Sequence, residues 1–276
     1  ILYVYAPRDG SPFALTTTGK IQFTKNGLGQ DVELPDLALM MYGVGIELGD
    51  VTLSLQDAGN NQVTMNASLP RKFTVRDTLG YNIGEFALES PQFVGLWNHS
   101  LFAFNKLDAH ASNLTITDTS GSLTIRHLAI ASTVSPTGPQ QWQSEHAIEL
   151  AGVQLYNQES GDQLTTDLLK YEYALRNVDL ASLGAMVQAT RFNPLSILPR
   201  TQLSEQILYL ATDFYDIVAI DAQEMSFEAN SLQFTEASGF TMSIAEMILF
   251  SHWTNLASDL ATFESGVRLA GITVDT

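Results

Sequence analysis

The chain has 276 residues, 45% of them apolar and 16% charged, with no cysteine and a formal charge of −17 from 13 Lys+Arg against 30 Asp+Glu. This is the composition of an ordered protein with a real core, and the length admits one large domain or two ordinary ones. It excludes disulfides, thiolate metal sites and cysteine nucleophiles, and it removes the electrostatic attraction that nucleic acids and anionic membranes would need.

The opening ILYVYAP reads as the tail of a signal anchor whose earlier part lies ahead of it, and a start without Met fits this or a trimmed chain. Further on, Val51, Leu53 and Leu55 alternate with polar neighbours, DAGNN turns the chain, and Val63, Met65, Ala67 and Leu69 alternate again. Period two on both arms marks strands with one buried face. The stretch LDAHASNLTITDTSGSLTIRHLAIAS repeats that grammar: Leu114 and Ile116 lead into Asp118-Thr119-Ser120-Gly121, a type I turn signature, and Leu123 and Ile125 lead out. Thr, Ser and Asn between the apolar residues suit a half-solvated sheet, so the stretch builds surface. The segment TVSPTGPQQWQS, residues 133–144, reads as a long loop or a boundary between two sheet sections. A third hairpin follows across NQESGD, with Tyr171, Tyr173 and Leu175 on one face.

Helices are fewer. Residues 180–189 follow Asp179 as an N-cap, and Leu203, Ile207, Leu210, Phe214 and Val218 form an apolar stripe behind a Thr201 cap, predicting a helix near 202–220. SIAEMILFSHWTNLASDLATF is ambiguous: Ser243 to Glu246 has capping-box spacing, but the flanking sequence alternates, and we read the segment as mostly strand.

Chemistry-bearing motifs are sparse. There is no G-x-S-x-G, H-E-x-x-H or Walker loop, and Gly43-Val44-Gly45 with Gly49 misses the dinucleotide fingerprint by one position. The histidines 99, 110, 127, 146 and 252 show no ligand spacing. Glu145 and His146 are neighbours on one strand and point to opposite faces, which makes them poor acid/base partners. Asp213 and Asp216 share a predicted helix face without a sign of burial. From Glu205 to Glu264 ten acids fall in a window without Lys or Arg, which reads as a solvated surface, with a divalent-cation site as the alternative. The sequons at Asn66, Asn98 and Asn113 are what Asn/Ser/Thr-rich strands produce by chance. The one functional hint is an aromatic cluster: Phe93, Leu96, Trp97, Phe102 and Phe104 form core, or line an apolar groove for acyl chains.

Three stretches, FALESPQFVGLWNHSLFAFNKLDAHASNLTI, SEHAIELAGVQLYNQESGDQL and YEYALRNVDLASLGAMV, resemble YdgA-like proteins of bacterial envelopes, across about residues 85 to 190. A more distant similarity is to AsmA-like envelope proteins, whose curved sheets carry lipid along a greasy inner face. The resemblance implies a Gram-negative, exported protein, periplasmic and held by an N-terminal inner-membrane anchor, and it offers no catalytic residues.

The expected fold is α+β and predominantly β: a long twisted antiparallel sheet of hairpins with one or two helices packed on it. A β section at 1–135 is followed by a second at 136–276 that carries the helix near 202–220, or the two form one continuous domain. The expected function is non-enzymatic, without cofactor or metal: an interaction or structural component of the envelope, partnered by another envelope protein or by itself. The alternative is binding of lipid or another hydrophobic ligand in a groove lined by the curved sheet.

Overall fold

The computed structural model describes residues 13–41, 44–76, 81–99, 103–118, 120–138, 141–179, 220–256 and 260–275. Fourteen strands form one antiparallel sheet: β1 (Phe13–Thr16), β2 (Gln22–Asn26), β3 (Gly29–Met41), β4 (Val44–Gly59), β5 (Gln62–Ser68), β6 (Lys72–Arg76), β7 (Asn82–Asn98), β8 (Ala103–Thr117), β9 (Gly121–Pro136), β10 (Gln141–Asn157), β11 (Gln163–Asp179), β12 (Ala222–Thr235), β13 (Thr241–Thr254) and β14 (Thr262–Asp275). From β7 onward each strand pairs with the next; short turns between alternating segments dictate this everywhere except between β11 and β12, which pair although residues 180–221 separate them in the sequence. β1 and β2 share one edge of β3, and β5 and β6, separated at Pro70, together fill the place between β4 and β7. Proline cannot donate to a ladder, so the strand breaks there.

The expected α+β class is corrected to all-β: among the described residues there is no helix, and hence none long and apolar enough to cross a membrane. The helices expected at 180–189 and 202–220 lie outside the described residues, apart from Ile220, which is buried against Trp142, Leu175 and Val178 just ahead of β12. The ambiguous segment is β13, a full-length strand. The three hairpins fall where the alternation places them, β4–β5, β8–β9 and β10–β11. The long loop expected at 133–144 is a correction: Thr133–Pro136 completes β9 and Gln141–Ser144 begins β10, with Trp142 already opposite Pro136. In the β8–β9 turn the Asp118 carboxylate accepts hydrogen bonds from the Ser120 hydroxyl and from the Ser120 and Gly121 amides, which holds its pKa below the ordinary carboxyl value.

A line of left-handed residues crosses the strands: Asp36, Gly49, Ser90, Asn113, Gly152, Ser231 and Gly271, on β3, β4, β7, β8, β10, β12 and β14. Each resets the in/out alternation of its strand. Leu34 and Leu37, three apart around Asp36, lie in one buried cluster, as do Leu48 and Val51 around Gly49; Leu150 and Val153 around Gly152 share another. Unbroken alternation would send such pairs to opposite faces. The small polar residues and glycines chosen here are those that tolerate positive φ. At Gly152 a Cβ would also lie 2.5 Å from the Arg126 guanidinium, so that side chain crosses the line where β10 leaves room for it.

Candidate binding face

The phase reset keeps apolar residues on one face along the full length of every long strand. On one side of the line, a single row of directly opposite residues runs through Phe23, Val32, Leu53, Ala67, Phe93 and Ala109. It continues through Ile130, Ile148, Tyr171, Phe227, Leu249 and Val267, so every strand except β1 and β6 contributes one apolar residue. At about 4.8 Å per strand, this row is roughly 50 Å long. On the other side a second row runs Phe73, Phe86, Ile116, Leu123, Leu155, Leu164, Phe234, Met242, Val274. The opposite face carries rows of the other kind, such as Thr115, Thr124, Gln154, Thr165, Gln233, Ser243, Thr273.

Much of the apolar face is open. Ile148 is 40% exposed, Leu155 45%, Leu249 38% and Val267 68%, far more than interior sheet residues of these types usually show. The open rows form a contiguous surface of the kind that marks a binding site. Towards the β2 end the face deepens into a recess of about 570 Å3, with Val32, Met65 and Trp97 in its buried floor and the exposed Phe23 and Leu28 at its border.

The aromatic cluster meets this recess. Trp97, 1% exposed, packs edge-on to Phe104 with ring centroids 5.1 Å apart, and Phe104 packs edge-on to Phe93 at 6.0 Å. Gly95 lies beneath Phe104, whose Cε1 would be 2.6 Å from an added Cβ. Leu96 is not brought into this group: it alternates with Gly95 and Trp97 and pairs with Thr64 and Lys106, on the opposite face beside the exposed Val94. Phe102 lies outside the described residues.

One polar group interrupts the apolar face above the first row. His146 Nδ1 and the Ser132 hydroxyl are 2.8 Å apart, and the imidazole stacks on Tyr173 at 6.0 Å. Burial lowers the His146 pKa, because desolvation disfavours the charged ring. Its sequence neighbour Glu145 turns the other way and pairs with Arg176 at 2.5 Å, so the two side chains do not converge on one substrate.

The polar face holds a groove of about 630 Å3 with Ala131, Ala147, Arg176, Glu224, Phe250 and His252 among its lining. Its charges are mutually engaged: Arg176 bridges Glu145 and Glu224, and His252 Nε2 stands 3.9 Å from Glu224. Of the acidic run, Asp221 accepts from Asn177, Glu228 from Asn230 and Glu236 from Ser238, while Glu246 pairs with Arg268. Among the described residues no three His, Asp or Glu side chains converge as metal ligands; Glu205, Asp213, Asp216 and Asp259 lie outside them.

The sequence signal for the Trp97 cluster was aromatic clustering alone. The rows leave no signal in the local sequence, because they are defined by register between strands far apart in the chain. No family model, curated protein or solved structure matches this chain.

Proposed function

We propose that the protein is a non-enzymatic binding protein of the bacterial cell envelope, whose apolar sheet face takes an extended hydrophobic ligand of the acyl-lipid class. The observation that carries this reading is the pair of apolar rows in register across the sheet, left partly open to solvent and deepening over Trp97. An acyl chain is narrow, long and free of hydrogen-bonding groups, which matches a surface whose backbone polar groups are used in the ladder. The resemblance of residues 85–190 to YdgA-like envelope proteins supports a periplasmic setting with an inner-membrane anchor.

The test is native mass spectrometry of protein purified gently from its own membranes, followed by lipid extraction. An added mass that resolves into acyl lipid is the expected result. Ile148→Lys, which places a charge near the middle of the row at a residue already 40% exposed, is expected to reduce lipid occupancy about tenfold or more while leaving the fold intact. Lipid-free protein, or occupancy indifferent to Ile148→Lys, would overturn the reading.

A further inference from the structure

The polar group set into the apolar face, Ser132 with His146 and Tyr173, lies in a row of its own. Directly opposite residues run from Ser132 through His146, Tyr173, Met225 and Ser251 to Ser265. Each stands two positions along its strand from a member of the first apolar row, as His146 does from Ile148 and Tyr173 from Tyr171. The two rows therefore share a face and run side by side, roughly 7 Å apart. This stripe is polar without being acidic or basic. Away from the line of left-handed residues, no Asp, Glu, Lys or Arg shares the face of the apolar rows from β8 to β14 among the described residues; Glu145, Glu172, Arg176 and Glu224 point to the opposite face. The His146 ring is held in place. The Ser132 hydroxyl engages Nδ1 at 2.8 Å, and Tyr173 stacks on the imidazole with the planes 27° apart. Nε2 has no hydrogen-bond partner among the described residues.

We propose that Ser132, His146 and Tyr173 seat the polar end of the bound lipid, and that this end is an uncharged hydroxyl, as in a diacylglycerol. The inference rests on the lipid reading and adds the headgroup to it. A hydroxyl is selected twice over, by hydrogen bonding and by charge. An uncharged imidazole donates from one nitrogen and accepts at the other. The Ser132 hydroxyl can donate to Nδ1 or accept from it, so Nε2 is a donor in the first arrangement and an acceptor in the second. A ligand hydroxyl, which both donates and accepts, bonds Nε2 in either arrangement; a carbonyl or phosphate oxygen suits only one. A phosphate or carboxylate would also have to sit on an apolar surface without a Lys or Arg to pair with, a cost that a hydroxyl on the same acyl chains avoids. Desolvation already disfavours the one cation His146 could supply. With its hydroxyl on Nε2, the lipid's chains reach the half-open Ile148 and Leu249 in the adjoining row.

The experiment offers the purified chain phosphatidylcholine vesicles that carry equal amounts of diacylglycerol, its methyl ether and phosphatidic acid, all with the same acyl chains. Native mass spectrometry reads which lipid is bound. Diacylglycerol is expected to exceed the methyl ether about three- to tenfold, the worth of one net hydrogen bond, and phosphatidic acid by at least as much. His146→Leu should erase the preference for the hydroxyl while the methyl ether is taken up as before. Ser132→Ala, which releases Nδ1, should reduce the preference, and circular dichroism of both variants should match wild type. Ile148→Lys, in contrast, should lower the occupancy of all three lipids together, because it acts on the chains. No lipid uptake at all would sink the lipid reading and this inference with it. Three results would overturn the headgroup inference alone: uptake sensitive to Ile148→Lys but equal for diacylglycerol and its methyl ether, a preference that survives His146→Leu, or a predominance of phosphatidic acid.

Discussion

At the scale of single residues, the fold turns on a few backbone conformations that apolar side chains avoid. Gly152 combines a φ of 64° with a guanidinium where a Cβ would go. Gly152→Val is expected to cost about 1–3 kcal/mol through backbone strain alone, with Gly152→Asn milder because asparagine tolerates this region; urea denaturation of both variants is the check. His146 sets a pH dependence. Its folded pKa is lowered below 6.5, so the unfolded chain binds the proton more readily. The stability it secures is therefore complete above 6.5 and lost as the pH falls through 6.5 towards the folded value. Denaturation curves from about pH 8 down to about pH 5 should show this loss, and His146→Gln should flatten that part of the profile. None of these roles was legible beforehand: Asp36, Ser90, Asn113 and Ser231 look like ordinary solvent-facing strand residues until neighbouring strands align them.

At the scale of elements, the hairpins were legible because their information is local: two alternating arms and a turn of fitting chemistry. Asp118 shows the turn's contribution. Asp118→Ala should lower the melting temperature at neutral pH by removing an acceptor that serves three donors. Because the carboxyl's folded pKa is depressed, wild type and variant should converge as the pH falls through 3.8 and then through the lower folded value, a comparison thermal scans can make. β13 was ambiguous for a physical reason. Where the phase resets, Ile244 and Met247 reach the same face at a spacing of three, the spacing that also marks a helix. Likewise the prolines and glycine of 133–144 suggested a long loop, but Ser135 and Pro136 sit at the end of a strand, where a missing amide costs little.

At the scale of the whole molecule, a binding face and a core are made from the same side, and they can be separated by how deeply a residue sits. Trp97 is 1% exposed, so Trp97→Ala should cost about 3–5 kcal/mol in chemical denaturation, as large cavity-forming substitutions do, whereas mid-row substitutions should act on the ligand. The predominance of β structure was legible from periodicity, and so was the Trp97–Phe104 contact as a cluster. The long rows were not, because a row exists only once all the registers are fixed. The order of the strands has one more implication. Since, among the described residues, each strand from β8 to β14 pairs only with its neighbours in the chain, this part of the sheet behaves as a nearly one-dimensional array. Its length can grow or shrink by whole hairpins without disturbing the rest, each hairpin lengthening both rows by roughly 10 Å, so gene-level duplication or loss of a hairpin would retune the size of what the face accommodates.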